Sequence, residues 1–151
     1  MHAPIISYRV NTTDQKAIET HLRTCDTKFM FLPDNLDSLH TYAAKLGSNA
    51  LRCEAWVAQK LVGLIAIYCN DHGTRTAFIS NVSVLPDWYN RGIATQLLAR
   101  AIEEARLAGM HEIRLEVDQD NASAIGLYCK AGFGKVSGTA QSIFMQRCIR
   151  I

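Results

Sequence analysis

The stretch that decides the fold is LPDWYNRGIATQLLARAIEEA, residues 85–105. It opens with a proline turn, passes through Arg91 and Gly92, and continues with apolar residues at three- and four-residue spacing. This spacing predicts a helix over residues 92–109, with one buried stripe and a charged outer face. The stripe consists of apolar side chains: Ala94, Leu97, Leu98, Ala101, Ile102 and Ala105.

The start of this helix predicts an anion-binding site. The first four N–H groups of a helix have no partner within it, and the aligned peptide dipoles add roughly half a positive charge there. The turn presents main-chain amides on one side, and Gly92 and Ala94 leave room for a ligand. We expect the amides of this segment to bind a pyrophosphate: Asn90, Arg91, Gly92, Ile93, Ala94 and Thr95.

A plainer interpretation of the segment is that Gly92 serves only the turn and that Arg91 is solvated. The segment is neither G-x-G-x-x-G nor a P-loop, because no Gly-Lys-Ser/Thr follows it. Dinucleotides and nucleoside triphosphates are therefore disfavoured as ligands.

Length and composition favour one small domain. The 151 residues, 48% of them hydrophobic, predict a single domain over residues 1–151. The net charge of +2 is too small to predict a nucleic-acid or membrane partner. The chain has no apolar run of the ~20 residues that span a bilayer, no N-terminal signal pattern and no C-x-x-C pair. We therefore expect a cytoplasmic protein with reduced thiols and no metal.

The apolar patterns follow the order βααβββαβαββ, which predicts a mixed sheet with helices packed on it. Residues 5–10 indicate the first strand, and Thr12 and Gln15 occupy capping-box positions of the first helix. In the second helix, Asp34 is a candidate N-cap and Gly47 a stop signal. Its stripe consists of Leu36, Leu39, Ala43 and Leu46. Apolar runs between residues 50 and 85 predict an antiparallel meander, and residues 134–149 a closing hairpin.

Two motifs carry a family resemblance. NVSVLPDWYNRGIATQLL and LEVDQDNASAIGLYCKAGF resemble the GCN5-related N-acetyltransferase (GNAT) family, with signatures V-x-P-x-x-[Q/R]-x-x-G-x-[G/A] and N-x-x-A-x-x-x-Y-x-x-x-G-F. The second signature is complete, at Asn121, Ala124, Tyr128, Gly132 and Phe133. The first is matched at Val84, Pro86, Gly92 and Ala94, but Tyr89 stands where the family usually has Gln or Arg. That departure weakens a side-chain contact to the phosphates unless Asn90 and Arg91 compensate.

The resemblance implies an α+β fold, with a mostly antiparallel sheet of about seven strands and four helices, and acetyl-CoA as acyl donor. In the family, the strand before the loop bulges and parts from the next parallel strand, so that pantetheine pairs with its main chain. Here that edge is Val82, Ser83 and Val84. An N–H near Val82 would polarise the thioester carbonyl, and neither a metal nor a covalent enzyme intermediate is needed.

The resemblance also implies catalytic roles. An amine attacks only when it is unprotonated, and free alkylamines have a pKa of about 10, so the site must remove a proton and later return one to the thiolate. Glu116 resembles the general base of the ribosomal-protein N-terminal acetyltransferase branch, and Tyr128 the general acid. Asn121 would cap a short helix and contact pantetheine. The alternatives are a solvated or salt-bridged Glu116, a Tyr128 that only packs, and an Asn121 that only caps.

Other side chains carry little predicted chemistry. We expect Cys129 to be a small buried hydrophobe, and we assign no role to the histidines at positions 21, 40, 72 and 111. The loop at residues 23–35 is the predicted acceptor loop. Its candidate contacts are Asp26 for an amine and Phe29, Met30 and Phe31 for an apolar wall, unless these three enter the core.

The predicted function is acetyl transfer from acetyl-CoA to a primary amine by direct attack through a tetrahedral intermediate. The acceptor is a small-molecule amine or a peptide or protein N-terminus. One alternative is an acyltransferase that uses another acyl-CoA or an amino sugar. A second is a non-catalytic acyl-CoA binding or sensing module. Homodimers are common in the family, which leaves a homodimer open.

Overall fold

The computed structural model describes residues 4–25 and 36–150, and only the backbone of residues 36 and 37. The predicted cap Asp34 and the predicted acceptor-loop contacts at positions 26, 29, 30 and 31 lie outside this part of the chain, as does the side chain of Leu36. Among the described helices, none is long and apolar enough to cross a membrane.

The described elements follow the predicted order βααβββαβαββ, which confirms the α+β fold class. A 3-10 turn at Pro86–Trp88 precedes the third helix. The strands and helices are β1 (Ser7–Val10), α1 (Gln15–Thr24), α2 (Leu36–Asn49), β2 (Leu51–Val57), β3 (Lys60–Tyr68), β4 (Thr76–Val84), α3 (Ile93–Leu107), β5 (Glu112–Asp118), α4 (Ala122–Lys130), β6 (Gly134–Gly138) and β7 (Ser142–Cys148).

The strands form one sheet of seven, in the order β1-β2-β3-β4-β5-β7-β6. The β4–β5 pair is parallel, and the other described pairs are antiparallel. A parallel neighbour requires a crossover, and here α3 carries the chain from the end of β4 to the start of β5. The start of α3 therefore lies at the end of β4.

Helices cover the sheet on both faces, because alternate strand residues point to opposite sides. The core on the α3 face includes Ile65, Val82, Leu97, Leu98 and Ala101. A smaller core on the α1/α2 face includes Ile18, Leu22, Ala43, Leu46 and Leu64. Helix α3 packs so closely on β3 that a Cβ on Gly63 would lie 2.7 Å from Cγ2 of Ile93. Gly63 is therefore the residue that lets α3 rest on β3.

The N-cap of α1 corrects one expectation. Asp14, and not Thr12, caps this helix, because its carboxylate accepts from the Ala17 amide at 2.8 Å. Thr12 instead donates to the buried Glu54 on β2 through both its amide and its hydroxyl. The Thr12 hydroxyl, which local spacing predicted as the cap of α1, therefore bonds instead to a residue that is distant in sequence.

The C-terminus of α2 corrects a second expectation. The helix passes through Gly47 and ends at Asn49. Nη1 of the buried Arg52 donates to the carbonyl oxygens of Leu46, Gly47 and Ala50, at 3.3, 3.1 and 3.0 Å. Because a guanidinium satisfies these final carbonyls, the helix needs no left-handed glycine to end it.

Candidate functional site

The parallel strands β4 and β5 separate before β4 ends. Residues 76–79 pair with residues 112–115, and the pairing stops there although β4 continues to Val84. On the other side, the register with β3 shifts so that Ile79 faces Ile67 while Asn81 faces Ala66. Ser80 is thus an extra residue in β4. Such a bulge bends its strand, and a gap opens between β4 and β5.

The main chain of β4 faces this gap at alternate residues. The Leu85 amide donates to the Val62 carbonyl on the β3 side at 2.9 Å. Since antiparallel strands alternate between groups that face the partner and groups that face away, Ser83 also faces β3. Val82 and Val84 point their N–H and C=O groups into the gap. Of the three residues predicted to pair with pantetheine, two therefore present main-chain groups there.

The loop between β4 and α3 reverses the chain through two left-handed residues. Asn90 has φ 63° and Gly92 has φ 75°. Gly92 is the N-cap of α3, and its carbonyl accepts from the Gln96 amide at 3.0 Å. Successive amides in such a loop point to the same side and form a concave anion-binding surface at the positive end of the helix dipole.

A cleft of about 470 Å³ lies between this loop and α4. Five of the residues predicted to bind pyrophosphate line it, together with the gap-facing Val84: Asn90, Gly92, Ile93, Ala94 and Thr95. Arg91 is not among the lining residues, because its guanidinium lies over the Trp88 ring, 4.6 Å from the centroid. Trp88 and Tyr89 both line the cleft, so Arg91 supports its wall from outside.

The opposite wall of the cleft comes from α4, and the sequence analysis missed it. Ser123, Gly126, Leu127 and Lys130 all line the cleft. Their spacing of three and four residues places them on one face of α4. That face differs from the one carrying the buried Ala124 and Tyr128. The helical period was visible in the sequence, and it would have identified Lys130 as a cation near the predicted pyrophosphate.

Tyr128 is fully buried on α4. Its ring lies 6.1 Å from that of Phe133 in an edge-to-face arrangement at 60°. Burial raises the pKa of Tyr128 above its ordinary value, so the hydroxyl keeps its proton at neutral pH. Asn121 caps α4 by accepting from the Ala124 amide at 3.2 Å, and the cleft lining begins one residue later.

Glu116 lies on β5 directly after the last residue that pairs with β4. Its neighbours Leu115 and Val117 enter the α3-side core, so the Glu116 side chain points to the α1/α2 face. It is half-buried and lies opposite Phe144 of β7. Tyr128 belongs to the α3-side core. The two predicted catalytic residues therefore lie on opposite faces of the sheet.

The expectation that Cys129 is buried is wrong. Its side chain is exposed, because one helical step of about 100° from the buried Tyr128 turns it away from the core. Within residues 4–25 and 36–150, no three His, Cys, Asp or Glu side chains form a group that could hold a metal ion.

A buried histidine is the clearest residue that the sequence analysis missed. His21 of α1 is 2% exposed. Its Nδ1 lies 3.0 Å from the Leu61 carbonyl oxygen, and its Nε2 lies 2.9 Å from the Ser83 hydroxyl. Burial lowers the pKa of His21 to about 4, against weaker opposing hydrogen bonds. No local motif indicated this contact, since Ser83 is 62 residues away.

The sheet, the parted strands and the amide-lined cleft at the start of α3 together define the acyl-CoA N-acyltransferase class of fold. The sequence profile described as the acetyltransferase (GNAT) family matches residues 48–133, more than half of the chain. The chain belongs to this family.

Individual proteins of known name resemble parts of the sequence or the fold. It is 36% identical over 75 residues to N-alpha-acetyltransferase MAK3 of Arabidopsis thaliana, an alignment that covers 49% of this chain and 40% of that protein. The chain thus spans less than half the length of this relative. The fold resembles the crystal structure of the ribosomal-protein-S18-alanine N-acetyltransferase from Escherichia coli, with TM-score 0.79, 23% identity, and 97% and 96% of the two chains covered.

A second solved structure is similar and includes coenzyme A. It is the PaiA N-acetyltransferase from Thermoplasma acidophilum in complex with coenzyme A. The TM-score is 0.73 and the identity 17%, and the comparison covers 94% of this chain and 99% of that one. At this identity, the likeness concerns the fold alone.

Proposed function

We propose that this protein transfers the acetyl group of acetyl-CoA to a primary amine. The observation that carries the proposal is the position of Val84. This residue lines the cleft at the start of α3, and its main chain faces the gap between β4 and β5. A ligand held by its diphosphate in the cleft therefore has a direct route along the β4 edge into the gap.

In this proposal, the chain binds the two ends of acetyl-CoA by different means. The amides of residues 90–95 and the Lys130 ammonium hold the diphosphate, because both place positive charge at the cleft. The gap-facing groups of Val82 and Val84 pair with the pantetheine arm as an added strand would. The Val82 N–H donates to the thioester carbonyl oxygen. Acetyl-CoA itself supplies the activated acyl group.

Two side chains handle protons in this proposal. Glu116, on the α1/α2 face, takes a proton from the incoming amine, directly or through water. Tyr128, on the other face, gives its proton to the departing thiolate. The raised pKa of Tyr128 supports this role only in part: it ensures that a proton is present, but it also makes the hydroxyl a weak acid. The thiolate therefore has to be generated within hydrogen-bonding distance of it.

The acceptor enters from the α1/α2 face, where Glu116 points. We place peptide N-termini first among the acceptors to be tested, because the names of the MAK3 relative and of the Escherichia coli structure describe such an activity. Small amines and amino sugars come next.

The test combines binding with turnover. Calorimetry measures acetyl-CoA affinity for the wild type, for Gly92→Glu and for the control Gly134→Glu. The Gly92 variant brings a carboxylate and a strained φ of +75° to the cleft, whereas Gly134 is exposed in β6, with open space at its Cβ position. We expect Gly92→Glu to lose affinity at least a hundredfold and the control to keep it.

Thiol release with a panel of peptides, amines and amino sugars then identifies the acceptor. If acetyl-CoA binds but no amine is acetylated, the protein is a binding or sensing module. If acetyl-CoA does not bind the wild type, the proposed function is wrong.

A further inference from the structure

A chain of buried polar groups lies between the sheet and the helices α1 and α2. Three of its members are almost fully buried: Asn81 is 0% exposed, His21 2% and Ser83 4%. Burying polar groups is costly unless each one has a hydrogen-bond partner. The proposed acetyl transfer involves none of these side chains, so their placement needs a separate explanation.

The contacts of His21 fix the position of its ring proton. The Leu61 carbonyl oxygen is only an acceptor, so Nδ1 of His21 carries the proton and donates to it. At neutral pH the ring is neutral, because burial lowers the pKa of His21 to about 4. Nε2 is therefore an acceptor, and it lies 2.9 Å from the Ser83 hydroxyl and 3.4 Å from the Cys25 thiol.

The contacts continue from Ser83 to Asn81 and Tyr42. The Ser83 hydroxyl oxygen lies 2.7 Å from Oδ1 of the Asn81 amide. The Tyr42 hydroxyl of α2 donates to the Ser80 carbonyl oxygen at 2.9 Å and lies 2.8 Å from the Ser80 hydroxyl. It also hydrogen bonds with the Asn81 side chain.

The completed chain runs from Ser80 through Tyr42, Asn81, Ser83 and His21 to the Leu61 carbonyl. Its contacts on β4 lie at the bulge and on both sides of Val82. It thereby ties the bent part of β4 to α1, α2 and β3.

We infer that His21 and Tyr42 are positioning residues that hold the gap-facing N–H of Val82 in place for the thioester carbonyl. This inference rests on the proposed function, because it assumes that an acetyl thioester occupies the gap. Neither residue lines the cleft at the start of α3. Their loss should therefore disturb the acyl end of the ligand and leave the diphosphate end bound.

The experiment reads the carbonyl directly. Isotope-edited difference infrared spectroscopy with [1-13C]acetyl-CoA compares the carbonyl stretch in solution and on the protein. In the wild type, we expect a shift to lower frequency, because a hydrogen bond weakens the C=O bond. His21→Leu and Tyr42→Phe should lose most of that shift while coenzyme A affinity stays within about twofold.

His21→Gln is the matched rescue, because an amide also offers a donor for Leu61 and an acceptor for Ser83. It should restore the shift. Once an acceptor is known, His21→Leu should lower kcat by about ten- to a hundredfold with little change in the KM for acetyl-CoA, and His21→Gln should recover most of it.

The outcomes separate two failures. A wild type without affinity for acetyl-CoA, or without a carbonyl shift, refutes the proposed function. A wild-type shift that persists in folded His21→Leu and Tyr42→Phe refutes the positioning role alone. Nitrogen-15 NMR of the wild type needs no variant: a His21 ring with its proton on Nε2 would contradict the proton assignment.

Discussion

The two sides of β4 show how one strand is shaped by two kinds of contact. On the α3 side, the candidate ligand site is built mainly from residues 84–95, which are continuous in sequence. On the α1/α2 side, the same strand is held by His21 and Tyr42, which contact Ser83 and Ser80 across 62 and 38 residues. In the proposed function, the first side presents main-chain groups to acetyl-CoA, and we infer that the second side fixes their position. The geometry of the proposed site would then depend on contacts that do not reach the ligand.

The largest expected effect comes from the two proposed catalytic residues. Glu116→Gln and Tyr128→Phe keep side-chain size but remove the proposed base or the proposed acid, so we expect kcat to fall by about 10² to 10⁴-fold in each variant. Acetyl-CoA affinity should change little, because neither residue lines the cleft. Steady-state kinetics and calorimetry check the two parts separately. Full activity of Glu116→Gln would assign the base role to water.

The acid stability of the fold tests the α1/α2 side alone. The ordinary pKa of 6.5 for His21 falls to about 4 in the folded protein, so only the unfolded chain gains this proton between those values. Stability should therefore decrease as the pH falls from 6.5 to 4, by about 3 kcal/mol from this group, with no contribution from it above pH 6.5.

Urea denaturation at several pH values measures that loss. His21→Gln removes the titrating group and keeps both hydrogen bonds, so its slope over the same interval should be flatter than that of the wild type. Equal slopes in the two proteins would show that His21 is not the residue that titrates.

Packing between α3 and β3 offers a smaller effect on the opposite side. Gly63→Ala would place a methyl group 2.7 Å from Ile93 and 3.0 Å from Leu97, at the first turn of α3. We expect a loss of about 1–3 kcal/mol in the free energy of unfolding, and weaker acetyl-CoA binding because the start of α3 moves. The matched control is Gly134→Ala in β6, since a Cβ there meets open space and the residue does not line the cleft. Unchanged stability in Gly63→Ala would mean that α3 can shift away from β3 without a loss in the free energy of unfolding.

The smallest effect separates two cations near the cleft. Lys130 lines it, whereas Arg91 stacks on Trp88. We expect Lys130→Ala to weaken coenzyme A binding about five- to tenfold and more strongly at low salt, because a charge contact is lost. Arg91→Ala should cost about two- to threefold, through the weakened wall. The reverse order in calorimetry would place the Arg91 side chain on the phosphates.

The sequence revealed what depends on neighbours in the chain and missed what depends on distant contacts. The helix after Gly92, the meander and the lining residues 90 and 92–95 followed from short patterns. The cap of α1 did not, because Glu54 engages Thr12 from another strand. Arg52 likewise extends α2 past Gly47. His21 has no pattern around it that distinguishes a buried hydrogen-bonded ring from an exposed one.

The short parallel ladder between β4 and β5 has a mechanical consequence. It divides the sheet into two parts, β1-β2-β3-β4 and β5-β7-β6, and β4 pairs with β5 only over residues 76–79. An extended molecule bound in the gap between β4 and β5 would act as an added strand and connect the two parts by hydrogen bonds. Amide hydrogen exchange should then slow in both β4 and β5 when acetyl-CoA is added, including at amides of β5 far from the diphosphate.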